Sequence, residues 1–184
     1  MVQNYGIIEN MKKRYLSEQI LKDIKNKMVF LGGPRQVGKT TLSMDLFSKN
    51  SYLNWDFADD REKILTYQLP AENTWVFDEI HKYKKWRNYI KGLYDKNKKQ
   101  KILVTGSARL DLCRFGGDSL QGRYHFLRLH PFTFDELKST SFSDFESLFE
   151  LGGFPEPFLM GKKIEAVRWS KEYRSRILRD DISS

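Results

Sequence analysis

Gly33-Pro34-Arg35-Gln36-Val37-Gly38-Lys39-Thr40 is the stretch on which the reading of this chain turns. It satisfies the pattern G-x-x-x-x-G-K-[ST] at every fixed position. Glycines allow the backbone to wrap round a phosphate with successive N–H groups turned inward, the lysine sets a positive charge on the β and γ oxygens, and the threonine hydroxyl ligates Mg²⁺. The flanks agree. Met28-Val29-Phe30-Leu31 reads as a short buried strand, and Thr40 to Phe47 as a helix whose N-terminus faces the anion. Pro34, Arg35, Gln36, Val37 and Thr41 complete the set expected to border the phosphates.

Outward from this loop the chain reads as alternating strands and helices. An amphipathic helix is expected within residues 10–25, with Leu16, Ile20 and Ile24 on one face. Ser51 to Phe57 suggests a second strand, and Asp59-Asp60-Arg61-Glu62 a helix start with acids at the positive end of the dipole. Trp75-Val76-Phe77 is a third strand, Lys84–Lys96 a helix, Lys101–Thr105 a fourth strand and Tyr124–Leu129 a fifth, stopped by Pro131. Strands separated by helices imply a parallel sheet with covered faces. Beyond Pro131 the strand signals cease. Phe142–Leu151 reads as a helix, Gly152 to Pro157 as a breaker, and Lys162–Asp180 as a long helix striped by Ala166, Trp169, Tyr173 and Ile177.

Composition bounds the function classes. The 184 residues suit one domain with at most a small appendage, and 40% hydrophobic residues with 14% aromatics are enough for a core. Cys113 is alone, so no intramolecular disulfide forms, and a reducing, cytoplasmic setting is expected. No apolar run approaches membrane-spanning length, which argues against a membrane partner. Between Lys82 and Lys101 nine Lys or Arg residues face one acid, Asp95, so this segment carries the whole of the formal charge of +8. It reads either as a patch for nucleic acid or as a solvated helix face. The second reading is favoured because Trp86, Ile90 and Leu93 fall at helical spacing.

Trp75-Val76-Phe77-Asp78-Glu79 carries the second chemical signal. An aspartate at the C-terminal end of an apolar strand can hold Mg²⁺ beside the phosphate loop, and the glutamate after it can orient and deprotonate an attacking water. GTPases of the Ras type need Asp-x-x-Gly here, but Asp78-Glu79-Ile80-His81 has no glycine, and Val104-Thr105-Gly106-Ser107 offers no guanine-reading Asn-Lys-x-Asp. The nucleotide expected is therefore ATP. Ile102 to Ser107 is a buried strand ending in small polar residues, expected between the loop strand and the Asp78 strand. Ser107 or Thr105 is then a candidate to bond the attacking water or the γ-phosphate, with a plain helix cap as the alternative. Asp56 and Asp59 read as turn and cap residues, and Trp55, Trp75 and Trp86 as core. His81, His125 and His130 show no metal-ligand spacing with one another or with Cys113.

Taken in order, the phosphate loop, Phe77-Asp78-Glu79-Ile80-His81, Val104-Thr105-Gly106-Ser107, Ser119-Leu120-Gln121-Gly122-Arg123, Leu129-His130-Pro131-Phe132-Thr133-Phe134-Asp135-Glu136 and Gly152-Gly153-Phe154-Pro155-Glu156 resemble a family. They are similar to the bacterial and archaeal AAA+-type ATPases in which such a module precedes an uncharacterised C-terminal domain. The resemblance implies an α/β P-loop NTPase fold, AAA+-like, with a five-stranded, mostly parallel sheet between helices and a small C-terminal helical segment. It divides the chain into a core with its N-terminal helix over 1–131 and a lid-like, incomplete helical segment over 132–184. It implies Lys39 and Thr40 on phosphate and metal, Asp78 on Mg²⁺, Glu79 as catalytic base and a sensor at Ser107 or Thr105. Arg123 matches the arginine of the family's S-L-x-G-R segment; it would act as an arginine finger in its own subunit or a neighbour's, or fork onto a carboxylate within the fold. Members of the family continue well past residue 182, so the chain resembles an N-terminal module or a shortened homologue.

Three functions are open at this level. The first is Mg²⁺-dependent ATP hydrolysis coupled to an unknown partner, with homo-oligomerisation if Arg123 acts between subunits. The second is a nucleotide-gated nucleic-acid binder with little turnover, using Lys82–Lys101. A small-molecule kinase ranks last, because no acceptor-binding lid can be read.

Overall fold

Met28–Gly32, five residues buried along their whole length, form the strand (β1) that leads into the phosphate loop. The structure, a computed structural model, describes residues 14–106, 120–137 and 142–179. Ahead of β1 lies helix α1 (Ser17–Asp23), and after the loop helix α2 (Lys39–Leu46). Strand β2 (Tyr52–Asn54), helix α3 (Ala58–Leu65), strand β3 (Thr74–Asp78), helix α4 (Trp86–Lys96), strand β4 (Lys101–Thr105) and strand β5 (Tyr124–Arg128) follow. The sheet order is β2-β3-β4-β1-β5 and every pairing is parallel. β4 thus lies between the loop strand and the Asp78 strand, as expected, and the fold is the α/β P-loop NTPase architecture.

Alternation assigns the two faces of the sheet. Met28, Phe30, Trp75, Phe77, Ile102 and Val104 join one cluster with Trp86, Tyr89, Ile90 and Leu93 of α4 and Ile64 of α3. Val29, Leu31, Val76 and Leu103, almost completely buried, belong to the other face, where α1 packs on β1 and α2. Both faces are covered, which is why these strands read as continuous apolar runs. Burial of Trp86, Ile90 and Leu93 leaves Lys84, Lys85, Lys96, Lys98 and Lys99 exposed on α4 and its two flanks. Trp75 and Trp86 are core; Trp55 is half-buried and stacks on Tyr83 at 4.8 Å between ring centres.

β2 is shorter than the Ser51–Phe57 expectation. The Asn54 side chain accepts a hydrogen bond from the Asp56 amide at 2.9 Å and turns the chain out of the sheet. The helix behind it starts at Ala58, and it is Asp60 that reaches back to the Asn54 amide, at 3.0 Å.

The chain folds as two compact units, one of them Arg14–His130. The described part of the other runs from Pro131 to residue 179 and is helical: α5 (Phe134–Leu137), α6 (Phe142–Leu151), α7 (Pro155–Met160) and α8 (Lys163–Ile177). The expected breaker over Gly152–Pro157 is narrower than that. It ends at Phe154, and α7 begins with Pro155 in its first turn, where the missing N–H has no intrahelical partner to lose. Phe154 covers part of the α8 stripe, lying 4.9 Å from both the Trp169 and the Tyr173 rings. Gly153 is required by close approach: a Cβ there would come within 2.5 Å of the Phe132 carbonyl oxygen. Among the described residues no helix is long and apolar enough to cross a membrane.

Candidate nucleotide site

The loop between β1 and α2 has the backbone that an anion cradle needs. Gly33 has φ 141° and Gly38 φ 94°, and Gln36, between them, is also left-handed at φ 61°. A Cβ on Gly33 would sit 2.4 Å from the Leu129 carbonyl oxygen, so the loop lies directly on the chain leaving β5. Gly38 is the N-cap of α2, which offers its unpaired first-turn N–H groups and the positive end of its dipole to an anion. Lys39 is 8% exposed, and its ammonium donates to the Gly33 and Pro34 carbonyls at 3.0 and 2.7 Å, inside the curve of the loop.

Asp78, at the last position of β3, is the hub. Its side chain is 4% exposed and accepts three hydroxyl donors. Thr40 Oγ1 reaches Oδ2 at 2.8 Å, Tyr52 Oη reaches the same oxygen at 2.5 Å, and Thr105 Oγ1 reaches Oδ1 at 2.5 Å. A buried carboxylate must be satisfied in this way, since an unpaired one is costly. Asn54 Nδ2 donates to Tyr52 Oη at 3.1 Å and so orients the phenol. Burial first, then the bond to Asp78 and that residue's charge, push the Tyr52 phenol well above its ordinary pKa, so it remains a donor. The paired oxygens of Thr40 and Asp78 form a hard donor set of the kind Mg²⁺ takes.

Glu79 follows in a left-handed conformation, φ 56°, with its N–H bonded to the Thr105 carbonyl at 3.0 Å. This kink carries the chain off the sheet and turns the Glu79 carboxylate toward its own next turn. Oε2 lies 3.2 Å from Lys82 Nζ and 3.6 Å from His81 Nε2. Lys82 also donates to Asp56 Oδ2 at 2.5 Å. Burial alone would lower the Lys82 pKa, but the bond to Asp56 and the charges of Glu79 and Asp56 outweigh it and raise it. Lys82 is therefore not a free member of the basic segment.

The structure brings Gly33 to Thr41, Asp78, Glu79 and Thr105 to the C-terminal edge of the sheet. It does not bring Arg123 there. The Arg123 carbonyl accepts from the amide of Met28, the first residue of β1, whereas the phosphate loop follows the last. A five-residue strand separates them by about 15 Å. The guanidinium instead forks onto Asp95 of α4, at 3.1 Å from Nε and 3.4 Å from Nη2. Ser107 lies outside the described residues; of the two sensor candidates, Thr105 is the one seen, bonded to Asp78. Tyr52, Asn54 and Arg14 (whose guanidinium bonds the Val37 carbonyl at 2.9 Å) join the site without having been expected. Tyr52 carries one faint sequence signal, a polar tip on a strand two residues before an asparagine.

Fold, loop and strand-end acids together define a P-loop NTPase module. A family model described as an AAA domain matches residues 25–138, and the chain belongs to that family as an AAA+-type P-loop ATPase module. Among solved structures it is similar to the Signal Transduction ATPase with Numerous Domains (STAND) protein with a tetratricopeptide repeat sensor from Pyrococcus horikoshii. The TM-score is 0.51 at 18% identity, over 79% of this chain and 29% of that one. At that identity the likeness concerns the fold alone, and this chain spans less than a third of that protein's length. A search of curated proteins gives no significant match.

Proposed function

We propose that this protein binds and hydrolyses ATP with Mg²⁺ and passes its nucleotide state to a partner. The observation that carries the reading is the Thr40–Asp78 bond at 2.8 Å, which joins the end of the phosphate loop to the end of β3. Lys39 exchanges its two loop carbonyls for β and γ oxygens. Thr40 and Asp78 would hold the metal, which would supply charge neutralisation on the phosphates. The backbone of Gly33, Pro34, Arg35, Gln36, Val37 and Gly38, with the first turn at Lys39, Thr40 and Thr41, cradles the phosphate chain. Glu79, on leaving Lys82 and His81, aligns water for in-line attack and takes its proton, and Thr105 or Ser107 senses the γ-phosphate. Arg123, turned away from its own loop, serves a neighbouring subunit if it acts on phosphate at all. On this reading the module is a core over 1–131 followed by a lid-like segment over 132–184.

Replacing Thr40 by Val tests the metal assignment. It removes the hydroxyl and keeps the shape, so ATP hydrolysis should lose its response to Mg²⁺ over the range that saturates the wild type. Unchanged Mg²⁺ dependence would reject the Thr40–Asp78 pair as the metal site.

A second reading is supported by the solvated face of α4 and its flanks, where Lys84, Lys85, Lys96, Lys98 and Lys99 are exposed. There the protein is a nucleotide-gated nucleic-acid binder with little turnover. Affinity for DNA and RNA falling steeply with salt supports it, and a flat dependence or no binding at low salt removes it.

A further inference from the structure

Arg14, Lys39 and Asp78 are the buried charged side chains among the described residues, and the proposed chemistry gives a role only to the last two. Arg14 is 8% exposed. Its Nη1 donates to the Val37 carbonyl at 2.9 Å and its Nη2 to the His130 carbonyl at 2.6 Å. Val37 belongs to the phosphate loop and is fully buried; His130 is two residues past the end of β5. The next residue, Tyr15, extends the clasp: its hydroxyl donates to the Arg128 carbonyl at 2.7 Å and accepts from the His130 amide at 3.1 Å. A permanently ionised guanidinium is costly to bury, and an apolar side chain would seal this seam at less cost. What only a donor supplies here is a fixed direction for the two carbonyls.

That direction matters because of the peptide that follows Val37. It is trans, as are all the described peptides, so its C=O and N–H lie in one plane and point in opposite directions. With the Val37 carbonyl turned to Arg14, the Gly38 N–H is turned to the side of the loop that the guanidinium does not occupy. The left-handed Gln36 and Gly38 lie on either side of Val37 and form the backbone pattern that gathers N–H groups round an anion. Lys39 grips the loop through the Gly33 and Pro34 carbonyls. Arg14 grips it at Val37 and fastens it to the chain leaving β5.

We infer that Arg14 is a positioning residue for phosphate binding: by holding the Val37 carbonyl it fixes the Val37–Gly38 peptide plane and presents the Gly38 N–H to the phosphate chain. The inference rests on reading Gly33–Thr40 as a nucleotide site. Arg14 acts through the loop backbone, so its effect falls on ATP and ADP alike, because both bring a β-phosphate to the loop.

The test compares full-length wild type, Arg14→Met, Arg14→Lys and Lys39→Ala by calorimetric titration with ATP and with ADP in Mg²⁺, alongside thermal unfolding without nucleotide. Arg14→Met should weaken both nucleotides about tenfold, the scale of one charge-assisted bond, and Arg14→Lys should recover part of that loss. In steady state the change should fall on KM more than on kcat. A purely structural residue would lower the thermal midpoint and leave the affinity of the folded protein unchanged. Folded Arg14→Met with ATP and ADP affinities within about twofold of wild type overturns the inference. If the wild type binds and Lys39→Ala does not, that result rejects Arg14 while the nucleotide site stands. A wild type that binds neither nucleotide overturns both. Should Arg14→Met fail to fold, Arg14→Lys decides: weakened affinity supports the inference and unchanged affinity rejects it.

Discussion

Replacing Thr105 by Val probes the hub of the site with a change of a single polar atom. The Thr105 side chain is fully buried, and its hydroxyl donates to Asp78 Oδ1 at 2.5 Å. The other two donors, Thr40 and Tyr52, both go to Oδ2. Valine keeps the shape and leaves Oδ1 without its buried donor. A hydrogen bond to a charged group is worth about 1.5–3 kcal/mol, and the two remaining hydroxyls hold the loss near the middle of that range, about 2 kcal/mol. For a chain of this size that corresponds to a fall of about 4–8 °C in the thermal midpoint. The assay is urea and thermal unfolding of nucleotide-free protein, run as a cycle with Asp78→Ala. If the contribution flows through Asp78, the two losses are less than additive, with a coupling of at least about 1 kcal/mol. A Thr105→Val variant within about 0.5 kcal/mol of wild type, or losses that simply add, would refute the hub.

Gly33→Ala should abolish nucleotide binding and destabilise the fold by at least about 2 kcal/mol, because the new Cβ meets the Leu129 carbonyl at 2.4 Å and φ is 141°; titration and urea unfolding check both. Stability should hold through neutral pH and fall above pH about 10. Burial raises the Tyr52 and Tyr89 phenols, Tyr52 further through Asp78 and Tyr89 through Tyr67 and Tyr83. The unfolded phenols therefore ionise first as pH rises, and the unfolded state is favoured from there up to the native values. Tyr52→Phe should flatten part of that alkaline fall in unfolding measured from pH 8 to 11, and an identical slope would reject the Tyr52–Asp78 bond. Arg123→Ala should leave ATP affinity unaltered in a monomer and reduce turnover only where light scattering shows an ATP-dependent assembly; lower turnover in a strict monomer contradicts the trans role.

Lys39, Thr40 and Asp78 are legible in the sequence because each sits at a fixed offset from a strand end, and a strand end is a local signal. β1, β3 and β4 are legible for a related reason: buried on both faces, they are unbroken apolar runs bounded by polar residues. Tyr52 is not legible. It reaches Asp78 from the neighbouring strand, where the register sets Tyr52 against Val76 and Asn54 against Asp78, and register is a property of the assembled sheet. Arg14 is hidden by the same cause, with partners 23 and 116 residues away. Lys82 counts as surface charge in the sequence because its acids, Asp56 and Glu79, are joined to it only when the chain kinks at Glu79. Pro155 and Pro157 read as a break, although proline in a first turn starts a helix as readily as it stops one.

The proposed function depends on Glu79 activating water at a site assembled by Lys39, Thr40 and Asp78. Its most direct test is phosphate release by wild type and Glu79→Gln in the same contaminant-free preparation, with ATP binding measured beside it. Glutamine keeps the size and loses the base. Glu79→Gln should bind ATP as tightly as wild type and lose turnover by at least about a hundredfold, the lower range of general-base contributions. Equal turnover by the two proteins contradicts it.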